Sequence, residues 1–425
     1  MSKTFTTYNL GCKVNAYELS AISSLLLAKD YQEDDNNPDV VIINTCSVTA
    51  TADQKSRQHI RKMQKMFPNA IIAVMGCYSQ GNYQFIKDEI GPTILLGTSH
   101  RKEVVELIEK ALKEKEQYTL IEENTRNFDY EELGITSYTE NVRAFLKIQD
   151  GCNNFCTYCI VPYRRGKMRS RSKENVIKEA EYLVKQGYQE IVLSGIHVGG
   201  YGQDLKDCSF SSLVEELSNI QGLKSLRISS IEESEIDDKL INLIKDKNNL
   251  AKHLHIPLQS GANHVLKLMN RKYTREQFIE KIKRIKSLMP DVMISGDVIV
   301  GFLQESNEDF LDTYKLCEEC FDMLHVFPYS LRPGTVAARM DGQISPEVKK
   351  QRAKALLDLS DKLYEKFTNG FIGQDVTVLV EKYDATKCIN IGHTSNYINV
   401  QIPLKESKVG QFITVKLQKD MIISK

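Results

Sequence analysis

Between residues 5 and 112, short apolar runs of β type (5–9, 39–44, 70–75 and 93–96) alternate with stretches of mixed charge at helical spacing. Strands that alternate with helices build βαβ units, and therefore a parallel, Rossmann-like sheet. From about residue 113 to 140 that periodicity is lost and Glu122, Glu123, Asp129, Glu131 and Glu132 accumulate, which predicts an interdomain linker at 116–140. A second alternating series follows, with strands expected at 142–149, 190–194, 224–229, 253–256, 292–300 and 323–327. Thr274 with Gln277, and Ser306 with Asp309, mark the starts of two of its helices. Six βα units are too few to close an eight-fold barrel, so the expectation is an open, partial (β/α)6 barrel. Past a long helix that stops near Asn369-Gly370, the period becomes two at 375–381, 396–401 and 411–417. That change predicts a small β-barrel of a kind often used on nucleic acids. The fold class is α/β, with domains expected at 1–115, 141–368 and 369–425.

A chain of 425 residues has room for about three such domains. Lys plus Arg and Asp plus Glu number 56 each, so the net charge is zero and any nucleic-acid contact must be a local patch. No apolar run approaches the roughly 18 residues that mark a spanning helix, and no membrane association is expected. Met1-Ser2-Lys3-Thr4 opens without a charged and then apolar leader, which predicts a cytoplasmic chain. Ten cysteines in a reducing compartment turn attention from disulfides to metal and redox ligation.

Six of them carry the signal. Cys12, Cys46 and Cys77 each lie two or three residues beyond a predicted strand, and in an open parallel sheet the carboxyl ends of the strands share one edge, so these three should converge there. Cys152, Cys156 and Cys159 share one loop directly after the first barrel strand. Thiolates at that spacing can bind three corners of a [4Fe-4S] cluster and leave the fourth iron open, whereas a closed zinc site would want a fourth ligand that is not nearby. Beside this loop, Arg164, Arg165, Lys167, Arg169 and Arg171 crowd together with no acid among them, which suggests contact with RNA phosphates; a solvated basic face is the alternative. Lys55, Arg57, Arg61, Lys62 and Lys65 read as an ordinary helix surface. Cys317 and Cys320 form a C-x-x-C, but mid-helix rather than at a helix start, which argues against a redox role. His253 and His255 should share one face of a strand, at least one of them for packing.

The C-x-x-x-C-x-aromatic-C pattern, with Tyr158 as the aromatic, resembles the radical S-adenosylmethionine superfamily. The run from Asp150 to Arg171, with Leu10-Gly-Cys-Lys-Val-Asn15, Asn44-Thr-Cys-Ser-Val-Thr49, Gly76-Cys77, His255-Ile-Pro-Leu-Gln-Ser-Gly261, Asp297-Val-Ile-Val-Gly301 and Tyr329-Ser-Leu-Arg-Pro-Gly-Thr335, is similar to the methylthiotransferases, and the tail resembles their RNA-binding TRAM domain. The resemblance implies transfer of a methylthio group to a tRNA adenosine in the anticodon loop, with two molecules of S-adenosylmethionine and two [4Fe-4S] clusters, the second on Cys12, Cys46 and Cys77. It also implies that Tyr158, Gly195, Ser229, Gln259 and Gly301 line the cofactor site. An electron donor and a sulfur source are implied as partners, without identity. Leu10-Gly-Cys-Lys-Val-Asn15 and Gly195-Ile-His197 look most like the branch acting at carbon 2 of N6-threonylcarbamoyladenosine at tRNA position 37. The isopentenyladenosine branch, the ribosomal-protein branch and a non-catalytic iron–sulfur RNA-binding or electron-carrier protein are the alternatives. One departure stands out: Leu303-Gln304 replaces the Pro-Gly that the family commonly has before Glu305.

Overall fold

The computed structural model describes residues 3–134 and 142–424. Its N-terminal part runs β1 (Thr4–Asn9), α1 (Lys13–Leu27), β2 (Gln32–Glu33), β3 (Val40–Thr45), α2 (Ala50–Met66), β4 (Ile71–Gly76), α3 (Cys77–Glu89), β5 (Ile94–Leu96), α4 (Val104–Glu114) and β6 (Tyr118–Leu120). These strands form one parallel sheet in the order β2-β1-β3-β4-β5-β6. The central strand β3 is buried along its whole length, as a strand covered by helices on both faces must be.

The sixth strand corrects the expected boundary. Tyr118–Leu120 pairs in parallel with β5, so the first domain continues into the polar segment. Two of the five acids that suggested an interdomain linker reach inward: Glu131 pairs with buried Arg101 at 2.7 Å and Glu132 with buried Arg171 at 2.6 Å. Residues 135–140 of the expected linker lie outside the described residues.

The second part contains β7 (Arg143–Lys147), β8 (Gln149–Asp150), α5 (Val161–Arg165), β9 (Arg169–Ser170), α6 (Lys173–Lys185), β10 (Glu190–Ser194), α7 (Phe210–Ser218), β11 (Ser225–Ile228), α8 (Asp238–Asp246) and β12 (His253–His255). It continues through α9 (Asn263–Leu268), α10 (Arg275–Leu288), β13 (Met293–Val300), α11 (Asn307–Cys320), β14 (Met323–Pro328) and α12 (Pro346–Asn369). Two parallel sheets, β11-β10-β7 and β12-β13-β14, are joined through the bridges Leu226–Leu250 and Ser230–His255. The result is the six-stranded open arc expected from the sequence, with helices packed outside it over one continuous core. Both predicted helix starts are capping boxes, Thr274 with Gln277 and Ser306 with Asp309.

A curled antiparallel sheet follows, ordered β17-β16-β15-β18, from β15 (Asp375–Asp384), β16 (Ile389–Thr394), β17 (Asn399–Pro403) and β18 (Phe412–Lys416). The turn after β16 docks it on the barrel, where Arg227 lies over the Tyr397 ring at 4.8 Å and His253 stacks on that ring at 4.8 Å. Among the described residues no helix is long and apolar enough to cross a membrane.

Candidate functional site

β1, β3 and β4 are neighbours in one parallel sheet, so their carboxyl ends deliver Cys12, Cys46 and Cys77 to a common edge. Gly76 makes this approach possible: at φ +105° it turns the chain where a Cβ would stand 2.3 Å from Asn44 Oδ1. Asn15 Nδ2 donates to Asn44 Oδ1 at 2.7 Å and to the Thr45 carbonyl at 3.1 Å, tying α1 to β3 beside the thiols. The three thiols feel one another. Burial pushes the Cys46 thiol up to about 11, with Cys77 and Cys12 adding to the shift.

The second trio occupies the loop between β8 and α5. The backbone N–H of Asn154 donates to Cys152 Sγ at 3.5 Å, and Arg271 Nη1 donates to Cys156 Sγ at 3.5 Å. Burial pushes the Cys159 thiol up to about 12, with Cys156 and Cys152 contributing. None of the six cysteines is in a disulfide. Donors converge on sulfur in both trios, including Arg165 Nε on Cys77 Sγ at 3.2 Å. N–H donors aimed at sulfur favour the deprotonated, ligating form, so both donor sets fit an iron–sulfur group.

Two cavities lie where these loops meet the open end of the barrel. One, of about 410 Å³, is bordered by Cys12 and Lys13, by the ends of β10 to β12 with Gly195, Ser229 and His255, and by residues within β13 and β14. The other, of about 230 Å³, is bordered by Cys159, Tyr158, Gln259 and Tyr329. Asp297 on β13 lines both. Burial alone would raise its carboxyl, but hydrogen bonds from His255 and His325 hold it below the usual carboxylate range.

A protein of Bacillus subtilis (strain 168) named threonylcarbamoyladenosine tRNA methylthiotransferase MtaB is 43% identical over 98% of this chain and 94% of its own length. The chain belongs to the radical SAM methylthiotransferase family. Residues 146–317 of this methylthiotransferase match the radical SAM superfamily, and residues 4–97 match a family described as uncharacterized protein family UPF0004. A tRNA-2-methylthio-N(6)-dimethylallyladenosine synthase of Acetivibrio thermocellus is 35% identical over 98% of this chain and 88% of its own length. In fold alone it is similar to the radical S-adenosylmethionine methyltransferase TsrM from Kitasatospora setae, with a TM-score of 0.58 at 14% identity over 79% of this chain and 77% of that one. The family is one of transferases that use S-adenosylmethionine and a [4Fe-4S] cluster.

The expected cofactor positions of the methylthiotransferase divide between the two cavities. Gly195 and Ser229 border the larger, and Tyr158 and Gln259 the smaller. Gly301 borders neither: at φ +67° it packs under Lys349, whose Cγ a Cβ would meet at 2.3 Å, and its N–H donates to Glu305 Oε2 at 2.7 Å. Leu303 is fully buried, and Gln304 takes the left-handed backbone, φ +61°, at the position where the family commonly has Gly.

The basic segment requires a correction. Arg165, Arg169 and Arg171 are buried and paired, so they cannot serve as open phosphate contacts in this arrangement. Arg165 donates to Glu18 at 2.8 Å and to Asp150 at 3.2 Å, Arg169 pairs with Asp150 at 3.4 Å, and Arg171 pairs with Glu179 at 2.8 Å. Of these acids Glu18 comes from the N-terminal domain, while Asp150 and Glu179 flank the segment on either side. Of the five, Lys167 is exposed and Arg164 half-buried. Cys317 and Cys320 are buried on α11, and burial pushes the Cys320 thiol up to about 12.

Sequence reading missed how the barrel supports its cysteine loop. His197 contacts Cys152 and pairs with Glu235, and Arg271 pairs with Glu232 while donating to Cys156. It also missed the polar face of the larger cavity. There Ser295 Oγ bonds both His253 Nε2 at 2.7 Å and His255 Nδ1 at 3.0 Å, and Asp297 stands opposite His325 on the adjacent strand. Period-two alternation on β12 and β13 was the available signal for that face.

Proposed function

We propose that this methylthiotransferase acts on tRNA, adding a methylthio group to carbon 2 of N6-threonylcarbamoyladenosine at position 37. In this reading Cys152, Cys156 and Cys159 hold a [4Fe-4S] cluster beside S-adenosylmethionine, and Cys12, Cys46 and Cys77 hold a second. The observation that carries it is the pair of adjoining cavities, one bordered by Cys159 and one by Cys12, with Asp297 common to both. A substrate base in the larger cavity would lie between the two trios. The relative from Bacillus subtilis supplies the choice of nucleoside.

When bound, the cofactor and cluster at the second trio supply a deoxyadenosyl radical able to remove the hydrogen from carbon 2 of the adenine. The chain's residues do the rest. Arg271 and His197 fix the cysteine loop through Cys156 and Cys152, each held in turn by a carboxylate, Glu232 or Glu235. Tyr158 packs edge-on against buried Phe302, with ring centres 6.3 Å apart, and borders the smaller cavity. Ser295 connects His253 to His255, and His255 Nε2 reaches Asp297 at 3.2 Å, so the His255 ring is fixed between a hydroxyl and a carboxylate at the wall of the larger cavity. Walls of this kind keep water from a radical. The base must leave its stack to enter, which costs less in an anticodon loop than in a duplex. Lys167 and Arg164 are the members of the basic segment with surface left for phosphates.

The test is mass spectrometry of tRNA nucleosides after anaerobic reaction with S-adenosylmethionine and a reductant. The expected product is 2-methylthio-N6-threonylcarbamoyladenosine. Equal turnover of isopentenyladenosine tRNA would move the chain to the sister branch, and modification of ribosomal protein alone would overturn the RNA reading.

A further inference from the structure

The proposed nucleoside ends in a free carboxylate, a charge that a dimethylallyl substituent lacks, so a site built for it needs a cation that is not already spent on the protein's own acids. The larger cavity has one. Lys13 opens α1 directly after Cys12, borders the cavity and keeps an exposed side chain. Among the described residues its ammonium has no hydrogen-bond or ion-pair partner. Its nearest charged neighbours are Arg143, Arg227 and Glu190, and the two arginines are accounted for. Arg227 pairs with Glu190 at 3.1 Å and lies over the Tyr397 ring, while Arg143 pairs with Glu381 at 2.8 Å. The cavity's own carboxylate, Asp297, is taken by His255 at 3.2 Å and His325 at 3.4 Å. Among the described residues Lys13 is therefore the cation bordering this cavity that no carboxylate of the protein meets.

We infer that Lys13 is the anchor for the carboxylate of the substrate's amino-acid substituent, a binding and specificity residue placed so that carbon 2 of the attached adenine is held near Cys12. The inference rests on the nucleoside reading above. Geometry favours substrate over protein as the partner, because a lysine fixed at a helix start beside the cysteine edge is positioned by the backbone while its ammonium stays open to the cavity. The hydroxyls of Ser229 and Ser230 border the same space and suit the polar remainder of such a substituent.

The experiment uses the reconstituted holoenzyme and three anticodon stem-loops, bearing N6-threonylcarbamoyladenosine, its methyl ester and isopentenyladenosine. Both kcat/KM and stem-loop Kd are measured for wild type, Lys13→Met and Lys13→Arg. Loss of one charge-assisted hydrogen bond corresponds to about 10- to 100-fold. Wild type should therefore prefer the free acid over its ester by about that factor in both measurements. Lys13→Met should bring the ratio close to one, and Lys13→Arg should restore part of it. Iron and sulfide content should stay at the wild-type level in both variants. A Lys13→Met enzyme that keeps the acid-over-ester preference overturns the inference, as does one whose loss of turnover follows loss of iron, since Lys13 would then serve the cysteine edge. Wild type that fails on the threonylcarbamoyl stem-loop but turns over the isopentenyl one would instead refute the nucleoside reading.

Discussion

Arg165→Met separates an interior role for the basic segment from an RNA-facing one. Arg165 has no exposed surface, and its guanidinium donates to Glu18 at 2.8 Å, Asp150 at 3.2 Å, Asn15 at 3.1 Å and Cys77 Sγ at 3.2 Å. Burial alone would raise the Glu18 carboxyl, but Arg101, Arg165 and Lys147 together hold it well below the usual range, so it is charged and depends on its cations. Removing one partner from such a buried set leaves charge uncompensated and costs about 3–5 kcal/mol. For a cooperative unit of about 150–250 residues each kcal/mol moves Tm by about 2–4 °C, so the expected drop is about 6–20 °C. Arg165→Lys keeps the charge but loses the planar fork, and should cost about 1–3 kcal/mol. The assay is anaerobic thermal and urea unfolding, run beside tRNA binding at about 50 to 200 mM salt. The slope of binding against salt should match wild type, because Arg165 neutralises no phosphate. An Arg165→Met protein that unfolds like wild type while its salt slope falls by about one unit would refute the buried-network argument and return the residue to the RNA surface.

Three further outcomes follow from the same structure. Anaerobic iron analysis should approach about eight per chain, and replacing Cys152, Cys156 and Cys159 with Ala should leave about half; a triple variant that keeps all its iron would rule out one cluster per trio. Gln304→Gly should stabilise by about 0.5–1 kcal/mol in urea unfolding, since φ +61° strains a side-chain-bearing residue and its N–H bond to the Gly342 carbonyl at 2.8 Å would persist; a destabilised variant would show that the side chain matters more than the backbone. Burial would raise Glu190 as it would Glu18, but Arg227 and His393 hold it below the usual carboxylate range. A depressed carboxylate stabilises fully above its unfolded value of about 4.3 and loses that contribution as the pH falls, so Glu18→Gln and Glu190→Gln should each flatten the loss of stability below about pH 4.3, and an unaltered acid slope in both would contradict the pairing.

What could be read from the sequence was whatever is local along the chain. The period-two and helical runs located β1, β3, β4 and β5 and all six barrel strands, because each is a contiguous apolar run with its own flanking signals. The cysteine edge was legible for the same reason, since a residue just beyond a parallel strand has its place fixed by topology. The short edge strand β6 was not legible: its three residues sit in a polar segment and only Tyr118 and Leu120 are partly covered. The basic segment misled more seriously. Five cations without an acid in sequence look unpaired, yet Glu18 reaches Arg165 from 147 positions away. Charge density along a chain says nothing about acids delivered by another domain, and only the fold shows that three of those five cations face inward.

A net charge of zero therefore conceals two local surpluses, both next to Cys12, Cys46 and Cys77. In the interior, Arg101, Lys147, Arg165 and Arg169 stand against Glu18, Asp150 and Glu131, four cations to three acids, with Arg165 donating to Cys77. Beside the cavity, Arg143 and Arg227 are met by Glu381 and Glu190, while no carboxylate among the described residues meets Lys13. A buried excess of positive charge is costly unless an anion meets it. Cysteine thiolates ligating a cluster would supply one on the interior side, and a substrate carboxylate would supply one on the cavity side. Cys77→Ala should then weaken the contact between the N-terminal sheet and the barrel as well as iron binding, because Arg165 would keep its two carboxylates but lose the sulfur that its Nε now meets. Cys46→Ala has no such guanidinium donor to strand. Of the two substitutions, the one at Cys77 should cost the larger share of stability when both proteins are compared without iron.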